Sequence, residues 1–213
     1  MDEAVISARD LQVADDRPPI TMDVTEGLTL LIHGRESHAT ELSLVLGGRV
    51  RPRAGSVALG GQTLGPRKLF KRVALAGAPE IDTLERATSA KETIREQIAW
   101  AQPWYKPAPK DPMSHALAEP WLEPLALDID PKTAIGSLQV IDRIRVRVLC
   151  ALIARPDADL LIVDDIEQLR AVDLRDELLR NLKAVADILP VIASSVNPDA
   201  YHIADTIIDL RER

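Results

Sequence analysis

Residues 4–13 (AVISARDLQV) alternate apolar and polar side chains, the period of a half-buried strand. A DDRPP turn follows, and ITMDV at 20–24 alternates again. LTLLIH at 28–33 is instead a continuous apolar run behind Gly27, as a strand buried on both faces requires. The polar loop GRESHAT then leads into ELSLVLGG, a helix that Gly47 and Gly48 should stop. RPRAG at 51–55 reads as a turn, SVALGGQTL as a hairpin around Gly60 and Gly61, and RVALAG at 72–77 as another buried strand. Helical periodicity returns in IDRIRVRVLCALIA at 141–154, which RPDA breaks. DLLIVDD at 159–165 reads as a buried strand ending in two acids. Residues 173–189 predict an amphipathic helix with Leu174, Leu178, Leu179, Leu182 and Ala186 on one face. PVIASS is the next strand, NPDAYHIAD a turn into a short helix, and TIIDL at 206–210 the last strand. Strands alternating with helices imply an α/β domain with a largely parallel sheet. No internal repeat is visible.

Residues 84–133 break this rhythm. The stretch opens charged and helix-prone (LERATSAKETIREQIAW) and turns proline-rich from Pro103 to Pro112. Trp100, Trp104, Tyr105 and Trp121 fall in it, in a chain with only three Trp, two Tyr and one Phe. We read it as a mostly helical lobe inserted in a single domain spanning 1–213. With 46% hydrophobic and 28% charged residues among 213, the chain has ordinary globular usage and enough length for a sizeable core. No apolar run reaches the about 18 residues of a membrane-spanning helix. The acidic start MDEAVISARD lacks a secretory pattern, so a cytoplasmic location is expected. A net charge of −7 and few aromatics argue against nucleic acid as a partner. The single cysteine, Cys150, excludes an internal disulfide and a cysteine-based zinc site, and its apolar setting VLCALIA reads as buried. The scattered histidines and the Ser194-Ser195 pair suggest neither a metal site nor a hydrolase.

Three stretches together resemble the nucleotide-binding domain of ATP-binding-cassette (ABC) transporters. LVLGGRVRPRAGSVALGGQTL is similar to the family stretch after the phosphate loop: a helix ending in glycine, a turn, then a hairpin. IDRIRVRVLCALIARPDADLLIVDD is similar to the run from signature helix through Walker B strand. LPVIASSVNPDAYHIADTIIDL resembles the strand, switch turn and final strand. They cover nearly the whole chain in the family's order. The resemblance implies an α/β, P-loop NTPase-like three-layer core with an N-terminal antiparallel β element and a helical lobe. It also implies ATP and Mg²⁺ as ligands.

The motifs that perform the family's chemistry are mostly absent. A phosphate loop needs G-x-x-x-x-G-K-[ST], with backbone N–H groups and a lysine on the phosphates and a hydroxyl on magnesium. Here the candidate loop is Gly34, Arg35, Ser37, His38, Ala39, Thr40 and Glu41. One frame sets Ala39 at the lysine and Thr40 at the hydroxyl; another sets Thr40 at the lysine and Glu41 at the hydroxyl. Both lose the lysine, and Arg35 is the one fixed cation in the loop. The helix start still favours an anion, although Thr40 reads equally as a helix N-cap. In the Walker B strand, Asp164 matches the family's magnesium position, and Asp165 replaces the glutamate that polarises water. Both acids could instead simply end a strand at a solvent-facing edge. The signature LSGGQ aligns with Leu138, Gln139, Val140, Ile141 and Asp142, losing its serine and glycines. Arg143 and Arg145 match the basic residues that follow, or form a solvated helix face. The glutamine-loop position holds Ala78, the switch histidine aligns with Val196, and DDIEQLR lacks the D-loop aspartate. No aromatic lies near Asp15 and Asp16, where the family stacks adenine.

These lesions lead to an expectation of very weak hydrolysis or none. The resemblance implies a peripheral subunit at the inner face of the cell membrane, partnered with a permease or exporter and with a second cassette in a homodimer or heterodimer. Trp100, Trp104, Tyr105 and Trp121 are the expected partner interface, being the residue types that anchor interfaces; the other reading is that they fill the lobe's own core. Two rival readings are a working ATPase using Arg35, Asp164 and Asp165, and a soluble interaction protein without nucleotide or transport.

Overall fold

A computed structural model describes residues 4–15, 17–34, 39–79 and 81–211. Arg35, Ser37 and His38 of the candidate loop, and Asp16, lie outside the described residues. The strands are β1 Ile6–Gln12, β2 Ile20–Val24, β3 Leu28–Ile32, β4 Ala54–Leu59, β5 Gln62–Thr63, β6 Val73–Ala76, β7 Leu160–Val163, β8 Val191–Ser195 and β9 Thr206–Asp209. The helices are α1 Ala39–Leu46, α2 Pro66–Arg72, α3 Ala90–Ala101, α4 Glu119–Leu122, α5 Val140–Ala154 and α6 Val172–Ala186. β2-β1-β4-β5 form an antiparallel sheet, and β6-β7-β8-β3-β9 a parallel one. The fold class is therefore the expected one.

Alternation along the central strands builds the layers. Leu30, Ile32, Leu161, Val163 and Ala193 face one core with α3, α5 and α6. Their neighbours Leu31, Leu160, Ile162 and Ile192 face a second core with α1 and the antiparallel sheet. Strands apolar on both faces, as their runs predict, therefore sit between two apolar layers. The helix 39–46 ends at Gly48, whose φ of 71° needs glycine. A Cβ there would stand 2.3 Å from the Pro66 carbonyl oxygen and 2.5 Å from the Phe70 amide. That close approach seats α2, a helix the sequence reading did not assign; Pro66 at its first turn is the signal for it.

The lobe is less helical than expected. Within 84–133 only α3 and α4 form, and the rest is turns. Ser89 caps α3 by accepting the Glu92 amide at 3.2 Å. The helix stops at Ala101, because Pro103 biases Gln102 to extended backbone, so Trp100 and Trp104 are not successive turns of one helix. The short helix expected after Val196 does not form either. There Asp199 accepts the amides of Tyr201 (3.2 Å) and Ala204 (2.8 Å), an acid-capped turn that replaces helical bonds.

Candidate functional site

The carboxyl ends of β3, β7 and β8 meet where ligands bind in open α/β sheets. β3 runs beside β8, which runs beside β7. Asp164 follows β7, its amide donating to the Ala76 carbonyl at 2.8 Å. Its carboxylate is 1% exposed. Thr40 Oγ1 donates to Oδ2 at 2.7 Å, while Ser43 Oγ and Ser194 Oγ donate to Oδ1 at 2.7 and 2.9 Å. The strand-end acid is thus not solvent-facing, as one reading had it. Nor is Thr40 an N-cap: it lies inside α1, and its hydroxyl points across to β7 rather than back to the helix amides. Ala39 begins the helix, and Glu41 sits in its first turn. Gly34 ends the described stretch before the loop.

Asp165 stands beside this cluster with a left-handed backbone, φ 45°. Its amide donates to Ser194 Oγ at 2.8 Å. Burial, and then the neighbouring Asp164 charge, push its carboxyl above the ordinary range. Two residues on, Glu167 accepts from the Ser195 hydroxyl and from Asn197 Nδ2 at 2.7 Å, fixing the turn that carries Val196. Arg175, 4% exposed, lies 3.7 Å from Glu167. Gln168 Nε2 donates to the Gly77 carbonyl at 3.1 Å and its Oε1 accepts from Arg147 at 2.7 Å. The stretch with Ala78, fully buried, is thereby tied to the residues after Asp164.

Ser43, Ser194 and Glu167 were missed by sequence reasoning. Ser43 had a signal, lying three residues from Thr40 on one helix face. Ser194 and Glu167 had none, since each acquires its partner only through the sheet order. Around the aligned signature, Gln139 is the N-cap position of α5, Val140 is 42% exposed and Ile141 is buried in the core. Arg145 is not on a solvated face: it is 6% exposed and bonds Asp142 (2.9 Å), Glu177 (2.5 Å) and Asn181 (2.8 Å), clamping α5 to α6. Arg143 donates to the Leu138 carbonyl at 2.9 Å.

A separate groove of about 410 Å³ opens between the lobe and the core. Its core wall carries Arg49, Phe70 and Arg155, with both guanidinium groups over the Phe70 ring at 4.8 and 4.1 Å. Burial and then Arg155 lower Arg49 to about 10. The lobe wall carries Glu96 and Trp100, and Ile81, in the loop that leads into the lobe, completes the lining. Of the four aromatics, Trp100 lines this groove and is 73% exposed. Trp104 and Tyr105 do not line it, and are 94% and 68% exposed. Trp121 packs on the main core. Trp121 is thus the one of the four that packs inward, on a core the lobe shares with α5 and the parallel sheet, while the other three stay exposed. Cys150 is buried as expected, which pushes its thiol up to about 12. Among the described residues no cluster of metal ligands of the His, Cys, Asp and Glu type occurs, and no helix is long and apolar enough to cross a membrane.

No family model and no curated protein matches the sequence. Solved structures do match in shape. CbiO1 from Clostridium perfringens, part of the ABC transporter complex CbiONQ, superposes with TM-score 0.79 at 14% identity, covering 99% of this chain and 86% of that one. A putative ABC transporter ATP-binding protein from Pyrococcus furiosus gives 0.71 at 20% identity, covering 96% of each chain. A putative metal-chelate type ABC transporter, solved facing inward, gives 0.74 at 16% identity over 99% of this chain and 80% of that one. From end to end, the two sheets, the lobe and the strand order of this chain make the fold of the ATP-binding cassettes of ABC transporters.

Proposed function

We propose that this chain is a cassette-type subunit that docks on a membrane permease or exporter and hydrolyses ATP very slowly or not at all. The observation that carries the reading is the state of Asp164, whose carboxylate is engaged by three protein hydroxyls inside the fold. An acid used this way serves as a structural keystone between α1, β7 and β8. Thr40 and Asp164, side by side, fit a magnesium ion by donor chemistry. The helix start fits the accompanying triphosphate poorly. In either frame the residue at the family's lysine position, Ala39 or Thr40, carries no charge, and Glu41 adds a negative one. Phosphoryl transfer rests on positioning and charge neutralisation, and neither survives at Ala39 or at Val140 and Ile141.

The contact between Thr40 and Asp164 favours a second reading, in which magnesium nucleotide binds weakly as a structural ligand. In either case the working surface is the groove lined by Ile81 and Trp100, with a second cassette as the dimer partner. Its occupant would be a helical segment of the membrane subunit, on the cytoplasmic side. Pull-down of the tagged chain from detergent-solubilised membranes tests this. A polytopic membrane protein should be recovered, and Trp100→Ala or Ile81→Glu should reduce recovery about tenfold. Recovery of no membrane protein, or recovery indifferent to both substitutions, contradicts the reading.

A further inference from the structure

The sequence Trp104-Tyr105-Lys106-Pro-Ala-Pro-Lys110 is left without a task by the groove. Trp104 is 94% exposed and Tyr105 68%, the former being the most exposed large apolar residue in the described chain. Their rings meet edge to face, 6.1 Å between centroids at 83°. This is a preformed tip rather than a loose one. Pro103, Pro107, Pro109 and Pro112 restrict the backbone, the Lys106 amide donates to the Pro103 carbonyl at 2.9 Å, and Arg95 on α3 holds the Pro109 carbonyl at 3.2 Å. Lys106 and Lys110 are exposed, and neither forms an ion pair among the described residues. The acid next to Lys110, Asp111, is exposed, and its carboxylate accepts from Ser114 Oγ (2.7 Å) and the Met113 amide (3.2 Å) rather than from either lysine.

We infer that this tip is a lipid contact: Trp104 and Tyr105 seat in the headgroup region of a bilayer while Lys106 and Lys110 face anionic lipid. Trp and Tyr, apolar bodies with a polar handle, concentrate at that depth of a membrane. The charge argument selects lipid over a generic apolar partner. The chain carries −7 overall, so an anionic bilayer repels it except where cations are placed, and here two lysines without ion pairs among the described residues follow the two aromatics. Aromatic insertion and lysine attraction are each marginal alone and act together, as two-signal anchoring requires. The inference does not depend on the groove's having a protein occupant.

The test uses the purified full chain with protein-free vesicles, one set of phosphatidylcholine with phosphatidylglycerol and one of phosphatidylcholine alone. Co-sedimentation and a blue shift of tryptophan emission should appear with the anionic set and weaken with added salt. Lys106→Gln and Lys110→Gln should each lower partitioning about fivefold. Trp104→Ala with Tyr105→Ala should remove the blue shift, and Trp100→Ala should keep it. Because the substituted side chains are so exposed, unchanged circular dichroism and urea midpoint are expected of every variant. Absence of binding to anionic vesicles overturns the inference, as does binding that the Trp104 and Tyr105 substitutions leave intact. Recovery of Trp104-dependent binding only from vesicles containing the membrane subunit also overturns it, in favour of a protein contact.

Discussion

Thr40 and Asp164, 124 positions apart in sequence, are joined by a 2.7 Å hydrogen bond that closes α1 onto the end of β7. The same carboxylate gathers Ser43 and Ser194, so three elements depend on one buried acid. Asp164→Ala should therefore cost stability even without any ligand. It strands three hydroxyls in a buried site, at about 1 kcal/mol or more each, and a loss of about 3 kcal/mol in urea unfolding is expected. Asp164→Asn, which keeps an acceptor, should lose less. Wild-type stability in Asp164→Ala would mean that the cluster is not a keystone.

The residue after it carries the opposite kind of stress. Burial and the Asp164 charge raise the Asp165 carboxyl, so the folded state holds its proton to higher pH than the unfolded chain does. Its contribution is thus fully present below the ordinary carboxylate pKa of about 3.9 and is lost as pH rises through the raised value. Asp165→Asn should remove that loss, and asparagine also tolerates the left-handed backbone at φ 45°. Thermal melts should show the variant more stable than wild type at neutral pH, with the gain fading in acid. A gain that grows in acid would reverse the assignment.

Arg145 joins α5 to α6 from a nearly buried position. Removing a buried cation leaves Asp142, 16% exposed, facing an uncompensated pocket. Arg145→Ala should cost about 2–4 kcal/mol, toward the lower end because Glu177 is half exposed and can rehydrate. Arg143→Ala, which loses one bond to a backbone carbonyl, should cost under about 1.5 kcal/mol. Chemical denaturation of the two variants side by side checks the ordering.

Gly77 presents a purely steric case. Its φ is 81°, and a Cβ would fall 2.2 Å from the Asp164 carbonyl oxygen. Gly77→Ala must displace the segment holding the buried acid, and a loss of at least about 2 kcal/mol is expected. Amide exchange should quicken at Asp164 and Asp165 in the variant. Protection unchanged at both would show that the close approach is dispensable.

The sheet strands were legible because their apolar runs are short and bounded by Gly, Pro or acids, and because burial on both faces leaves little room for ambiguity. The two long helices α5 and α6 were legible through their 3.6-residue period. What failed was set by contacts distant in sequence. Nothing local in Thr40 says whether its hydroxyl turns back to the helix or across to Asp164; the parallel order of β7, β8 and β3 decides it. Arg145 looked solvated because its partners Glu177 and Asn181 come from another helix. In the lobe, strong helix formers at 84–100 suggested more helix than Pro103 and its successors permit. The exposed Trp104 could not be separated from Trp121 by residue type, since both are tryptophans in one polar stretch and only packing tells them apart.

The nucleotide site is tested most directly by titration calorimetry of Mg-ATP into the purified chain, with Asp164→Asn as its control and a parallel phosphate-release assay. No saturable binding tighter than about 1 mM, a free energy near −4 kcal/mol, and no release above background are expected. Binding tighter than that, with release abolished by Asp164→Asn, would contradict this expectation and make this chain a working ATPase.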